Sequence, residues 1–234
     1  MKRRVKCWTR SNTRKGLWMN NENIIPANKH VLVCGMTGTG KSYLCENYLR
    51  NYKYVVKLDT KDETDERYNS GLSPWSGLKE GKDFTVVRRF EELDYVETPK
   101  IIYVPDYDDQ NQETFNMFFR WIFDRGDTIL WIDELMSVGT VNSFPKELGR
   151  LLTQGRSKNV GVWSCTQRPS GIPALVPANS SYFFVFDCAL PQDRKKLVDT
   201  TGMMELYELP TGYYFWYYKM GDRSCVKAIL KGGL

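Results

Sequence analysis

A glycine-rich segment directly after a short apolar run is the feature that most constrains how this sequence can fold. The apolar run is Val31–Cys34, and the next eight residues match G-x-x-x-x-G-K-[S/T]. Glycines in this pattern let backbone N–H groups approach phosphate oxygens, the lysine neutralises the outer phosphates, and the serine hydroxyl binds Mg²⁺ at a helix N-terminus. The sequence therefore predicts a strand, a loop that binds ATP and Mg²⁺, and a helix. The predicted nucleotide-binding residues are Gly35, Met36, Thr37, Gly38, Thr39, Gly40, Lys41, Ser42 and Tyr43.

Further strands and helices alternate along the chain. Apolar runs predict strands at residues 54–58, 84–87, 101–104, 128–132, 160–165 and 182–186. Apolar residues at helical spacing predict helices after the phosphate loop, around residues 115–122 and from Pro145 onward. Residues 59–82 are polar and rich in turn-forming residues, which predicts a loop. The pattern predicts an α/β fold with a mainly parallel central sheet flanked by helices and a C-terminal β-hairpin at residues 212–229.

The length and the charge distribution suggest one domain with a short appendage. A chain of 234 residues with 41% hydrophobic residues can bury one large core. We assign residues 25–234 to this domain and residues 1–24 to a basic N-terminal arm. The first sixteen residues hold seven lysines and arginines and no acid, whereas the whole chain has a net charge of only +5. Such a segment suits contact with nucleic acid or another anionic surface, or a solvated tail.

Six cysteines and a single histidine offer little basis for a thiolate or imidazole metal site. The cysteines form no C-x-x-C pair and several lie in apolar runs, which predicts buried, reduced thiols. His30 precedes the first strand and is predicted to be an ordinary loop residue. No run approaches the roughly 20 apolar residues of a membrane span, and the N-terminus lacks the apolar core of a signal peptide. We therefore expect no transmembrane segment.

The strand predicted at residues 128–132 ends in two acidic residues, Asp133 and Glu134. After a phosphate-binding loop, the first acid is placed to hold Mg²⁺ together with Ser42. The second is placed to act as a general base on the attacking water. An Asp-Glu pair at the end of a strand can also be a solvent-facing turn. The preceding phosphate loop favours hydrolysis of ATP over simple binding.

Gln167 follows another predicted strand, at the sheet edge where ligands lie in parallel α/β proteins. A glutamine amide at this edge can donate to the γ-phosphate and accept a hydrogen bond from the attacking water. Gln167 alone is equally typical of a polar turn. Its role as a phosphate sensor therefore depends on the other motifs.

Three segments give the sequence a family resemblance. Residues 155–170 end in Thr-Gln-Arg-Pro-Ser, residues 58–61 read Leu-Asp-Thr-Lys, and residues 209–212 read Leu-Pro-Thr-Gly. Together with the phosphate loop and the Asp-Glu pair, and in this order, they resemble the FtsK–HerA superfamily of DNA-pumping ATPases. The match extends from about residue 30 to residue 217, so it covers most of the predicted domain.

The resemblance implies a RecA-like P-loop NTPase fold with an additional strand that carries the catalytic glutamate. It also implies a homo-oligomeric ring, with six subunits in this family, that moves double-stranded DNA through its centre and hydrolyses ATP at subunit boundaries. Arg156 matches the arginine that the family offers to the neighbouring subunit's nucleotide, and Arg150 is the rival for this role. The positions that match the family's phosphate, metal, base and sensor residues are Lys41, Ser42, Asp133, Glu134 and Gln167.

The sequence lacks the membrane anchors and extra DNA-reading domains of many family members. In this it resembles the genome-packaging ATPases of tailless, internal-membrane viruses. Its expected setting is then the host-cell cytoplasm or a capsid vertex, with a capsid or membrane-associated viral protein as partner. The alternatives are a plasmid or mobile-element DNA-transfer ATPase, an assembly protein that acts on protein, and a regulator that only binds nucleotide. The DNA-contacting region is left open between residues 136–144 and the surroundings of Lys79 and Lys82.

Overall fold

The computed structural model describes residues 6–8 and 24–230, and the strands in these segments form one ten-stranded sheet. The order across the sheet is β1-β10-β9-β8-β2-β7-β6-β3-β5-β4. Apart from Lys6–Trp8, the predicted arm of residues 1–24 lies almost entirely outside the described residues. The strands are β1 (Lys6–Trp8), β2 (Val31–Cys34), β3 (Val55–Leu58), β4 (Phe84–Val87), β5 (Lys100–Tyr103), β6 (Ile129–Ile132), β7 (Gly161–Thr166), β8 (Tyr182–Val185), β9 (Tyr214–Lys219) and β10 (Val226–Leu230).

The seven strands from β8 to β4 are parallel, and β9 and β10 add an antiparallel hairpin beyond β8. The predicted α/β fold with a C-terminal hairpin is therefore confirmed. In the register at the centre, Val33 lies opposite Cys165 of β7 and Phe184 of β8. Strands β2, β3, β5, β6, β7 and β8 are buried along their whole length, because helices cover both faces of a parallel sheet.

The helices confirm three predictions and correct one. A helix begins at the phosphate loop, another contains residues 115–122, and a third follows Pro145. The predicted loop at residues 59–82 instead contains a helix, α2, of which only Thr64 is buried. The helices are α1 (Lys41–Leu49), α2 (Glu63–Asn69), α3 (Gln112–Arg125), α4 (Leu135–Val138), α5 (Lys146–Gln154), α6 (Leu175–Asn179) and α7 (Pro191–Thr201).

Two hydrophobic cores lie on opposite faces of the sheet. Alternate residues of β2 serve each core: Leu32 packs on the side of α3, α5 and α7, and Val31 and Val33 pack on the side of α1. The α3 side contains a cluster of aromatic residues, with Phe115, Phe118 and Phe119 from the helix itself. Asn111 caps α3, because its side chain accepts hydrogen bonds from the backbone N–H groups of Glu113 and Thr114.

The thiols fit the sequence expectation in the part of the chain that is described. Cys34, Cys45, Cys165 and Cys188 are buried and free, and Cys225 is partly buried and free. The Sγ atoms of Cys45 and Cys165 lie 3.5 Å apart. None of the helices within residues 24–230 combines the length and apolar composition needed to cross a membrane.

Four neighbouring strands, β2, β7, β6 and β3, end at the same edge of the sheet. The segments that follow them begin with Gly35, Gln167, Asp133 and Asp59, respectively. All the motifs singled out in the sequence, except the segment around Arg156, therefore meet at this carboxyl edge. Ligands of open parallel α/β sheets bind at such an edge.

Candidate active site

The phosphate loop connects β2 to α1 through three glycines with positive φ. Gly35, Gly38 and Gly40 have φ values of 148°, 78° and 101°, a region that other residues rarely adopt. Lys41 Nζ donates a 2.9 Å hydrogen bond to the carbonyl oxygen of Met36, so its side chain folds back across the loop. The loop thus holds a nearly buried ammonium group over a turn at the start of a helix, which suits binding of phosphates.

Gly35 should not tolerate a side chain. A Cβ at this position would lie 2.6 Å from Phe186 Cβ and 3.2 Å from the carbonyl oxygen of Asp187, and φ is +148°. We expect Gly35→Ala to lower the free energy of unfolding by about 3 kcal/mol, because strain and overlap add. Urea denaturation measures this change. Gly81→Ala is the matched control, with φ +75° but no atom within 4 Å of the added Cβ; equal losses in the two variants would contradict the overlap argument.

The two predicted metal ligands lie together. Ser42 Oγ donates a 3.0 Å hydrogen bond to Asp133 Oδ1 across the gap between α1 and the end of β6. A hydroxyl and a carboxylate are hard oxygen ligands, and Mg²⁺ in nucleotide sites commonly uses one or two such groups with water and phosphate oxygens. Asp133 is only 3% exposed; this burial raises its pKa, and the positive charges of Lys57 and Lys61 oppose the rise. These residues fit a nucleotide-bound Mg²⁺.

The predicted base and the predicted sensor are hydrogen-bonded to each other. Gln167 Nε2 donates to Glu134 Oε2 at 3.0 Å, and Gln167 Oε1 accepts from Thr37 Oγ1 of the phosphate loop at 2.9 Å. Lys61 Nζ forms an ion pair with the same Glu134 oxygen at 3.2 Å. Glu134 is 6% exposed, so the carboxylate lies in a largely dry site where these contacts fix its position.

Two supporting residues were missed by the sequence prediction. Lys57 lies in the middle of β3, 1% exposed, with Nζ 3.0 Å from Glu63 Oε2 and 4.7 Å from the centre of the Trp131 ring. Burial disfavours its charge, but Asp133 and Glu63 outweigh this effect and raise its pKa. Lys61 belongs to the Leu-Asp-Thr-Lys motif, but no role was assigned to it. A lysine inside an otherwise apolar strand was the available signal for Lys57.

Asp59 organises the turn that presents Lys61. Its carboxylate accepts hydrogen bonds from the backbone N–H groups of Lys61 and Thr64 and from the Thr64 hydroxyl. Burial opposes the charged form of Asp59, yet Lys57 and these hydrogen bonds outweigh it and lower the pKa of the carboxyl group. The aspartate and lysine of this motif therefore act together, one by shaping the turn and the other by contacting Glu134.

Arg156 lies at the opposite edge of the sheet from the phosphate loop. It belongs to a short 3₁₀ turn, Gly155–Lys158, that precedes β7, and it donates to Ser181 Oγ at 3.0 Å just before β8. Arg150 lies on α5, with its guanidinium 3.8 Å from the centre of the Phe123 ring and 3.4 Å from Glu147 Oε2. The structure therefore does not bring Arg156 to the nucleotide site of its own subunit.

His30 is not the ordinary loop residue that the sequence predicted. It is fully buried, and its Nδ1 accepts the backbone N–H of Val162 at 3.0 Å. Burial and the nearby charge of Arg156 lower its pKa to about 4. Tyr43 lies in the first turn of α1, where its carbonyl oxygen accepts from the Asn47 side chain.

The low pKa of His30 predicts acid sensitivity. The unfolded chain takes up this proton near pH 6.5 and the folded chain only near pH 4, so stability is complete above pH 6.5 and falls as the pH decreases towards 4. The loss attributable to His30 should reach about 3 kcal/mol near pH 4. Urea denaturation of the wild type and His30→Gln at several pH values measures it. If both proteins lose the same free energy over this range, other groups cause the acid sensitivity.

The sheet order, the phosphate loop and the paired Ser42 and Asp133 define the class of this protein as a P-loop NTPase. No family model and no curated protein matches the sequence. Among solved structures, the chain is similar to the genome-packaging NTPase B204 of Sulfolobus turreted icosahedral virus 2 in complex with ATP-gammaS. The TM-score is 0.69 at 16% identity, over 88% of this chain and 100% of B204.

Two further structures extend the comparison. B204, the DNA-packaging ATPase of Sulfolobus turreted icosahedral virus, gives a TM-score of 0.66 at 18% identity, over 87% of this chain and 98% of that one. The bacterial conjugative coupling protein TrwBdeltaN70 gives 0.55 at 13% identity, over 88% and 86%. All three likenesses lie below 20% identity, and they show a shared fold. The fold that the motifs predicted is therefore confirmed.

Proposed function

We propose that this protein hydrolyses ATP to move double-stranded DNA and that it packages a viral genome into a preformed capsid. The observation that carries the proposal is the fold of B204, which is shared over the full length of that packaging NTPase. Within this fold, the residues needed for nucleotide chemistry lie together at one sheet edge. The expected setting is the host-cell cytoplasm, at a capsid vertex, with a capsid or membrane-associated viral protein as partner.

Four residues at the carboxyl edge have proposed parts in hydrolysis. Lys41 neutralises the outer phosphate oxygens, while Ser42 and Asp133 hold Mg²⁺. The metal, when bound, offsets negative charge on the phosphates. Glu134 orients a water and accepts its proton as the water attacks the γ-phosphorus.

Gln167 reports on the nucleotide because it contacts both the loop and the base. Its amide oxygen is engaged by Thr37, and its amide nitrogen by Glu134. A γ-phosphate beside the loop competes for the same amide and so changes the position of Glu134. Through these contacts, the presence or absence of the γ-phosphate alters the position of the catalytic base, Glu134.

The position of Arg156 supports a ring. At the amino edge of its own sheet, Arg156 can act on ATP only in a neighbouring subunit. A head-to-tail arrangement, in which each subunit presents its amino edge to the next subunit's nucleotide, closes into a ring when the rotation between subunits permits it. We propose six subunits, as the resemblance implies.

Contacts with DNA phosphates have two candidate regions. Residues 136–144 follow Glu134 at the carboxyl edge, and Val141 in this segment is 59% exposed. Lys79 and Lys82 are exposed in the turns that precede β4. The first region supplies backbone N–H groups and the second supplies charge, so substitution of both lysines should weaken DNA binding only if the second region is used.

The same observations support a second function, DNA transfer by a plasmid or mobile element. The similarity to TrwBdeltaN70, a conjugative coupling protein, favours it. We rank it after packaging because its TM-score of 0.55 is lower than the 0.69 of B204. Both functions require the same motor, and they differ in the partner at which the motor docks.

The proposed function is tested by the ATPase rate per subunit, measured across a protein concentration series with and without linear double-stranded DNA at low salt. A rate that rises with concentration and again with DNA supports a ring-shaped DNA motor. Lys41→Ala is the control for contaminating ATPases. Turnover that depends on neither concentration nor DNA contradicts translocation and favours an assembly protein that acts on protein.

A further inference from the structure

A groove of about 700 Å³ lies on the outer side of α3. Its other wall is the 3₁₀ helix Phe90–Tyr95, which follows β4. Apolar side chains of Phe90, Met117 and Trp121 line it, and Met117 is 45% exposed. The residues that line the groove include none of those assigned to nucleotide chemistry above. An exposed apolar surface of this kind is typical of a binding site for another chain.

Carboxylates surround this apolar lining. Asp94, Glu113 and Asp124 are exposed at the groove. The one basic residue among those that line the groove, Arg120, forms an ion pair with Glu147 at 3.1 Å, a carboxylate that it shares with Arg150. The wider segment of residues 90–127 contains ten acidic and three basic residues, a net charge of −7. DNA is repelled by such a surface, whereas a basic peptide with apolar side chains fits it.

We propose that residues 9–18 of a second copy of this protein occupy the groove. This segment reads Thr-Arg-Ser-Asn-Thr-Arg-Lys-Gly-Leu-Trp, with three cations, no acid, and two large apolar residues at its end. Arg10, Arg14 and Lys15 match the three carboxylates in number and sign. Leu17 and Trp18 match the apolar lining. The proposed interaction thus combines charge with burial of apolar surface.

The arrangement of the sheet keeps the cations of the chain's own segment out of the groove. β1 and β5 are eight positions apart in the sheet, which corresponds to about 38 Å at the usual strand spacing. Arg14 is six residues from the end of β1 at Trp8, and an extended chain of that length spans about 20 Å. A neighbouring subunit that faces the β5 side has no such limit, and repetition of this head-to-tail contact closes into a ring when the rotation between subunits permits it.

This inference rests on the proposed ring, and its test distinguishes failure of the contact from failure of the ring. The pair Glu113→Lys and Asp124→Lys reverses the charge of two acidic groove residues. The pair Arg14→Glu and Lys15→Glu reverses the charge of two cations in the segment. Sedimentation velocity of the full chain with ATPγS and Mg²⁺ measures the concentration at which half the subunits associate. We expect each pair to raise this concentration about tenfold and the four substitutions together to restore it, because opposite charges face each other again.

Glu91→Lys with Glu97→Lys is the matched control, because these exposed acids lie near the groove but do not line it. If the groove variant associates like this control, or if the combined variant is not restored, the proposed contact is wrong while the ring survives. A monomeric wild type at all concentrations would instead overturn the ring itself. A segment variant that associates normally but loses DNA stimulation would assign the segment to DNA and overturn the contact.

A photo-crosslinking residue at position 117 gives independent evidence. Two differently tagged populations are mixed, irradiated and digested. The contact predicts crosslinks from position 117 of one population to residues 9–18 of the other. Crosslinks within one chain, or from position 117 to any other segment, contradict it.

Discussion

Glu134→Gln is expected to bind ATP as tightly as the wild type and to hydrolyse it about 10²–10⁴-fold more slowly, the usual contribution of a general base. Glutamine keeps the shape of the side chain and can still accept a hydrogen bond from Gln167 Nε2, but it cannot take a proton from water. The loss of the ion pair with Lys61 lowers stability only slightly, since Lys61 is about one-third exposed. Titration with a fluorescent ATP analogue measures binding, and phosphate release measures turnover.

A matched substitution separates the chemical role of Glu134 from a general effect of removing a charge. Glu66→Gln makes the same change on the exposed side of α2 and should leave turnover unaltered. Hydrolysis by Glu134→Gln within threefold of the wild type would remove Glu134 as the base. A variant that has also lost ATP binding would indicate that Glu134 shapes the site.

Arg156→Ala is expected to retain ATP binding and to lose about 10³–10⁵-fold in turnover, the range for an arginine supplied by a neighbouring subunit. Arg156 lies on the far edge of its own sheet, so the loss arises in the next subunit's site. Arg150→Ala is the comparison, because Arg150 is held by Phe123 and Glu147 on α5. We expect its turnover to stay within threefold of the wild type.

Mixed rings make the test direct. Lys41→Ala subunits cannot use ATP but keep Arg156, whereas Arg156→Ala subunits keep the phosphate loop. Mixing the two should restore part of the activity, because some interfaces then combine an intact loop with an intact arginine. An Arg156→Ala protein that is active alone contradicts the role, and loss of activity in Arg150→Ala with normal Arg156→Ala would transfer the role to Arg150.

The fold was predictable because its strong signals are local. Each buried parallel strand appears as an apolar run, and the helices that cover the sheet have apolar residues at helical spacing. Helix α2 was missed for the opposite reason. It buries only Thr64 and is organised instead by Asp59 and by an ion pair between Arg67 and Glu46 of α1. This ion pair joins residues 21 positions apart, which no local pattern connects.

The site was predictable only in part, for a related reason. The phosphate loop and the Asp-Glu pair are short motifs whose residues are adjacent in sequence. The contacts of Lys61 with Glu134 and of Thr37 with Gln167 join separate strands, and only the sheet order reveals them. The same holds for His30, whose burial depends on β7.

β7 lies between two regions with different proposed roles. Gln167, at the nucleotide site, follows the carboxyl end of the strand, and Arg156 precedes its amino end. With its six residues, the strand separates them by roughly 20 Å. Because a close-packed interior transmits strain, a 10° tilt of β7 at its nucleotide end would displace Arg156 by about 3.5 Å. A displacement of that size is enough to make or break a hydrogen bond, and a subunit could thereby signal the state of its own nucleotide to the next one mechanically.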